Sequence, residues 1–233
     1  MDLKSPEDLS HEVTDFVRDK VEEIKPKLRG WLHLITLPIA FFGFLVMLVI
    51  ASTPLQRAGA AVFMVSSMLL FGISAVYHTL NWSPEAKLRL KRLDHANIFV
   101  LIAGSYTPFA LMILEPRDAA ILLGIVWGGT ILGVLFRVFW VRAPRWLYVP
   151  LYVVLGWVAI FWIDDFRAGT PTSVFVLIVT GGALYTVGAL VYALKRPNPA
   201  PKWFGFHEIF HAFTVAAFIV HYIGVSILAY STR

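Results

Sequence analysis

FHEIFHAFTVAAFIVHYIGVSILAY, residues 206–230, is an apolar run in which Glu208 is the only formally charged side chain. A helix needs about 20 mainly apolar residues to cross the hydrocarbon core of a bilayer, so this run is long enough to span one. Its opening turn holds His207 and His211 four residues apart. On a helix, positions i and i+4 project from one face, and both imidazoles can then reach a single metal ion. Ionisable side chains inside a span are costly and usually mark a working site.

Six further runs resemble it in length and character: Trp31–Ser52, Ala58–Leu80, His95–Leu114, Ala119–Trp140, Trp146–Ile163 and Thr172–Leu194, the fifth being the shortest. Residues are 58% hydrophobic and 15% charged, against about 25% charged in a soluble domain. No run alternates apolar and polar residues at period two, so helices fit far better than a β-barrel. The pattern predicts an all-α polytopic membrane protein: a seven-transmembrane-helix bundle over 30–233, preceded by an N-terminal segment at 1–29. That segment is polar and charged, unlike a signal peptide. With no cysteine in the chain, disulfides and thiolate metal ligands are excluded.

Lys and Arg fall unevenly about these spans. Six precede the first, four lie between the second and third (Lys87, Arg89, Lys91, Arg92), and three each flank the fourth and sixth connections. Only Arg57, Arg117, Arg167 and Arg233 fall on the other side. Positive residues mark the cytoplasmic face, so the expected topology in the plasma membrane is N terminus inside and C terminus outside. The net charge of +5 then reflects topology and attraction to anionic lipid, and no nucleic-acid partner is expected. In 1–29, Leu9, Val13, Val17, Val21, Ile24 and Leu28 recur at helical spacing, predicting an amphipathic surface helix that ends near Pro26. Gly124, Gly128, Gly129 and Gly133 form small-xxx-small pairs in the fourth run, which read as close helix-packing sites.

Parity gathers the polar residues. Ser74 and His78 close the second span, Asp94 and His95 open the third, and His207 and His211 open the seventh. The end of an even span and the start of an odd one always share a membrane face, and the charge bias makes that face cytoplasmic. Three histidines plus a vacancy form the ligand set of a catalytic zinc ion, whose bound water has a pKa near 7. The expected zinc ligands are His78, His207 and His211, with Asp94 orienting or deprotonating the water. Ser74, one turn from His78, could hydrogen-bond a ligand histidine or the substrate oxyanion. The plainer alternative is a set of buried histidines bonded to one another and to backbone carbonyls.

The other histidines read differently. His33 opens the first span on the same side and could support a ligand histidine, but is expected rather at the interface. His95 points about 100° from Asp94, and His221 lies about 15 Å along the helix from His211, so neither joins the ion. The string His207-Glu208-x-x-His211 matches that of zinc proteases, where the glutamate is the base. No HxxGxxH extension follows, and Glu208 is expected near the headgroups.

Ser74-Ala-Val-Tyr-His78, Leu93-Asp94-His95 with Ala103-Gly-Ser-Tyr-Thr-Pro108, and Phe206-His207-Glu-Ile-Phe-His211 closely resemble the hemolysin III family over roughly residues 25–230. This is the bacterial branch of the progestin and adiponectin receptor group, in a superfamily that includes alkaline ceramidases. The resemblance implies a seven-helix bundle with its N terminus inside, zinc on His78, His207 and His211, Asp94 near the metal's water, and lipid amide or ester hydrolysis. Two departures matter. Lys25-Pro-Lys-Leu-Arg-Gly30 replaces the acidic, Gly-Asn-containing lead-in of the eukaryotic receptors, and no large N-terminal domain or extracellular loop is seen to bind a protein hormone. Receptor-branch relatives can carry Gln at the position of Glu208, which argues against an obligatory base there.

Three functions compete: a zinc hydrolase acting on membrane lipid, a pore-forming cytolysin, and a receptor or sensor in which zinc only staples helices. A pore needs a polar stripe through the full membrane thickness. Here the polar residues collect at one end of the spans while the other halves are aliphatic and aromatic.

Overall fold

The computed structural model of the chain describes residues 28–231; the amphipathic helix expected before Pro26 lies outside them. Helices α1 (Trp31–Ile50), α2 (Pro54–Thr79), α3 (Pro84–Ile113), α4 (Pro116–Phe139), α7 (Thr172–Leu194) and α8 (Phe206–Ser231) are each long and apolar enough to cross a membrane. The fifth span, Arg145–Ala168, is built from α5 (Arg145–Gly156), a 3₁₀ segment (Val158–Trp162) and α6 (Ile163–Ala168). No strand occurs among the described residues. Seven spans were expected, and seven are found among the described residues.

Local chemistry sets the helix starts. Pro54, Pro84 and Pro116 stand in the first turn of α2, α3 and α4, where the missing N–H is harmless and the ring pre-sets φ. Thr53 and Gln56 form a reciprocal capping box ahead of α2, and the Ser83 hydroxyl accepts from the Ala86 N–H ahead of α3. The Ser83 cap corrects one expected boundary. The third apolar run begins at His95, but α3 begins at Pro84, because Lys, Arg and Glu are good helix formers even where they cannot enter lipid. Asp94 and His95 therefore sit about three turns inside a helix rather than at a fraying end.

The fifth span breaks after Gly156. Freed backbone groups in a membrane must find partners, and Tyr106 of α3 serves two of them. Its hydroxyl donates to the Gly156 carbonyl (2.7 Å) and accepts from the Ala159 N–H (3.1 Å).

Sequential neighbours α1–α2, α2–α3, α3–α4 and α7–α8 pack together, α5 lies on α7, and α8 returns to α1. α3 touches α2, α4, α5 and α8, making it the inner post of the bundle. Lipid tails are as apolar as Leu, so packing rather than burial from water holds such helices together. Phe44 of α1, Phe63 and Phe71 of α2 and Phe218 of α8 interlock, with ring centroids 5.2 Å apart for Phe44–Phe63 and 5.0 Å for Phe71–Phe218. Aromatic pairs of this kind contribute about 1 kcal/mol each beyond their area. Of the glycines expected at packing sites in α4, Gly129 meets Leu155 and Gly133 meets Phe99, whereas Gly124 and Gly128 face open space. The spacing shows where backbones can approach, not which face has a neighbour.

Candidate metal centre

Three helices meet at the end of the bundle where α2 finishes and α8 begins. α2 delivers His78 in its last turn, α8 delivers His207 and His211 from its first two turns, and α3 delivers Asp94. One ring nitrogen from each of His78, His207 and His211 lies within 4.8 Å of the others. Their ring centroids are 4.9 Å (78–207), 5.2 Å (78–211) and 4.6 Å (207–211) apart. The side chains that parity grouped are thus brought together.

His78 Nε2, His207 Nε2 and His211 Nδ1 are all buried and have no hydrogen-bond partner among the described residues. A buried polar atom left unpaired costs about 1–3 kcal/mol. The plainer alternative, histidines bonded to one another and to carbonyls, would satisfy these nitrogens and does not occur. A metal ion would satisfy all three at once, and three imidazoles fit a divalent ion that keeps a free coordination position. Asp94 Oδ2 stands 3.6 Å from His78 Nε2, beyond hydrogen-bond length but close enough to act on the same bound species. Ser74 is buried on the same wall and makes no hydrogen bond, so its hydroxyl does not orient a ligand histidine.

Two expected placements are corrected. His33 is not interfacial: it is 2% exposed, stacks on His211 at 4.0 Å with rings 14° apart, and has both ring nitrogens unpartnered. The signal was available, since the start of an odd span shares the site's face. Glu208 does not reach outward to the headgroups. It is 1% exposed, accepts from Arg29 Nε (2.8 Å) through Oε1, and accepts from the Gly205 N–H (2.7 Å) through Oε2. Both oxygens are thus committed at the start of α8, turned toward the lead-in to α1. The carboxylate is a helix-terminal anchor, favoured there by the helix dipole, and not the base of a zincin.

His95 is engaged elsewhere, as expected. Nδ1–H donates to the Lys91 carbonyl (2.7 Å), leaving Nε2 to accept from the Tyr192 hydroxyl (3.1 Å). Tyr148 lies 3.2 Å from Tyr192, hydroxyl to hydroxyl, and Tyr152 donates to the His95 carbonyl. This tyrosine set, invisible in sequence spacing, pins α3 beside the histidines. His221 belongs to another level of α8, its Nε2 bonded to the Ile178 carbonyl (3.2 Å).

Gly30 sets the approach of α1. Its φ of +88° lies in the left-handed region, and a Cβ there would stand 2.8 Å from the His78 Cβ. Only glycine allows both the turn and this closeness. A largely apolar cavity opens beside the cluster, touching Asp94, His33 and His211 at one end and Tyr185 and His221 at the other.

Residues 21–222 match the family model described as Haemolysin-III related. The chain belongs to the haemolysin III family. A Hemolysin-3 homolog of Bacillus subtilis (strain 168) is 35% identical over 154 residues, covering 66% of this chain and 69% of the relative. Hemolysin-3 of Bacillus cereus is 34% identical over 156 residues, covering 65% and 71%. The Adiponectin receptor protein of Drosophila melanogaster is 28% identical over 228 residues, covering 85% of this chain and 49% of the receptor. The haemolysin III assignment and the seven spans together make this a multi-pass membrane protein.

Proposed function

We propose that this haemolysin III protein is a zinc-dependent hydrolase of a lipid amide or ester. It would sit in the plasma membrane with the N terminus inside and the C terminus outside. One observation carries the reading: three orphaned imidazole nitrogens stand together beside a carboxylate, and two of these histidines, His207 and His211, line an apolar cavity with Asp94 and the unpartnered Ser74 hydroxyl. His78, His207 and His211 hold the ion. Zinc in such a site supplies Lewis acidity and lowers the pKa of water.

Asp94 Oδ2 takes the proton from the attacking water and returns it to the leaving group. The water oxygen bonds to the acyl carbon, the C–N or C–O bond breaks, and the proton ends on the departing amine or alcohol. Ser74 Oγ, buried and without a partner, donates to the acyl oxygen as charge develops there. Leu70, Ile98, Leu101 and Ile102 offer the tail an apolar wall. The bias of Lys and Arg supports placing the reaction in the inner leaflet.

The test is metal analysis of purified protein beside hydrolysis of a ceramide-like lipid and its ester counterpart. Wild type should carry one zinc and turn over; His211→Ala should lose both; Asp94→Asn should keep the zinc and lose turnover. A second reading has its own support, because the triad joins α2 to α8 and an ion there cross-links them. Stoichiometric zinc that raises the melting temperature, with no hydrolysis of amide or ester, would favour that staple over an enzyme. Protein that binds no metal would sink both.

A further inference from the structure

Eleven buried side-chain polar atoms lack a hydrogen-bond partner among the described residues. Six of them surround the metal centre: both nitrogens of His33, Ser74 Oγ, His78 Nε2, His207 Nε2 and His211 Nδ1. Two more, His221 Nδ1 and Tyr185 Oη, lie far from it yet line the same cavity. His221 follows His211 by ten residues on α8, which puts it about 15 Å farther along the axis. Tyr185 of α7 faces it, with ring centroids 5.7 Å apart. The neighbouring hydroxyls are already used: Ser105 bonds the Ile102 carbonyl and Thr214 the Phe210 carbonyl. The Trp157 indole N–H likewise donates to Thr186.

The hydrogen-bonding roles of the pair are fixed. The Ile178 carbonyl can only accept, so the proton on His221 sits at Nε2. In the neutral ring Nδ1 is then an unpartnered acceptor, while the Tyr185 hydroxyl is free to donate, and both residues line the cavity. An acceptor beside a donor complements a hydroxyl group, which gives one hydrogen bond and takes another. A bare methylene chain satisfies neither atom, and leaving two buried polar groups dry is costly. His221 also lines a second apolar cavity, walled by Phe166 and Phe175, that adjoins the first. The polar pair therefore interrupts apolar space rather than ending it.

We infer that His221 and Tyr185 form a second recognition site, taking a hydroxyl carried part-way along the hydrocarbon tail of a lipid whose head lies at the histidine cluster. This rests on the reading that the cavity accepts a lipid tail, and it is independent of hydrolysis.

The experiment is competitive binding to purified protein in detergent, using a fluorescent fatty acid displaced by stearate or by hydroxystearate with its hydroxyl near mid-chain. Wild type should prefer the hydroxylated chain about tenfold, the worth of one net hydrogen bond to a buried partner. Tyr185→Phe and His221→Phe should each bring the two chains within about twofold while leaving stearate binding unchanged, which also reports that the variants fold. Equal binding of both chains to wild type overturns the second site, leaves the tail reading standing, and matches a pair bridged by water alone. A preference that survives both substitutions overturns it too. If neither chain displaces the probe, the tail reading falls and takes this inference with it.

Discussion

Glu208 shows how a familiar string can mislead. The HExxH pattern points to a general base, yet both carboxylate oxygens are spent on Arg29 and the Gly205 N–H. Arg29 is part-exposed and can turn to water, so Glu208→Ala chiefly loses the bonds to Arg29 and the Gly205 N–H and should cost about 1–3 kcal/mol, read as a lower midpoint in thermal unfolding. Glu208→Gln keeps an acceptor for either donor, and it should cost about 1 kcal/mol while retaining full metal content and turnover. A base would behave the opposite way: Gln would preserve the fold and abolish the reaction. The convergence of Asp94 with His78, His207 and His211 was legible in sequence because intramembrane titratable groups are few and parity fixes their face. For His33 parity gave the right face, but position in a run does not show which way a side chain turns. Only the stack on His211 does.

At the scale of elements, the lead-in to α1 is tuned to the metal centre through Gly30. Gly30→Ala would force an unfavourable φ and press a methyl on the His78 Cβ. The variant should lose about 2 kcal/mol of stability and a large part of its bound metal, measured together by unfolding and elemental analysis. The glycines of α4 give a paired comparison. Gly133→Ala drives a methyl into Phe99 and should cost about 1–3 kcal/mol, whereas Gly124→Ala meets open space and should be neutral or stabilise slightly through helix propensity. Helix number and rough extent could be read from apolar runs because lipid imposes a minimum length on each span. The start of α3 could not, since hydropathy registers where lipid begins, while the Ser83 cap and Pro84 decide where hydrogen bonding begins. The break at Gly156 was equally hidden, because it depends on a phenol supplied from α3, fifty residues earlier in the chain.

For the whole molecule, the charge bias and the closed order of packing lead to two measurements. Reporter fusions at the C terminus should be active only in a form that folds outside the cytoplasm, and an inside-active fusion would reverse the orientation and move the site to the outer leaflet. Chelation should lower the midpoint of unfolding by removing a stabilisation that grows as the logarithm of metal over Kd, about 2.7 kcal/mol at a hundredfold excess, and His78→Ala should be insensitive to chelator. The 30 residues of α3 extend about 45 Å, against roughly 30 Å of hydrocarbon. The surplus is the charged stretch before Asp94, which must stand in water, so α3 works as a float with its waterline just ahead of the carboxylate. Buoyed in this way, the centre can neither sink into oil nor rise into solvent. Under the proposed chemistry, a substrate would keep its reactive bond at that shoreline while the rest stays submerged.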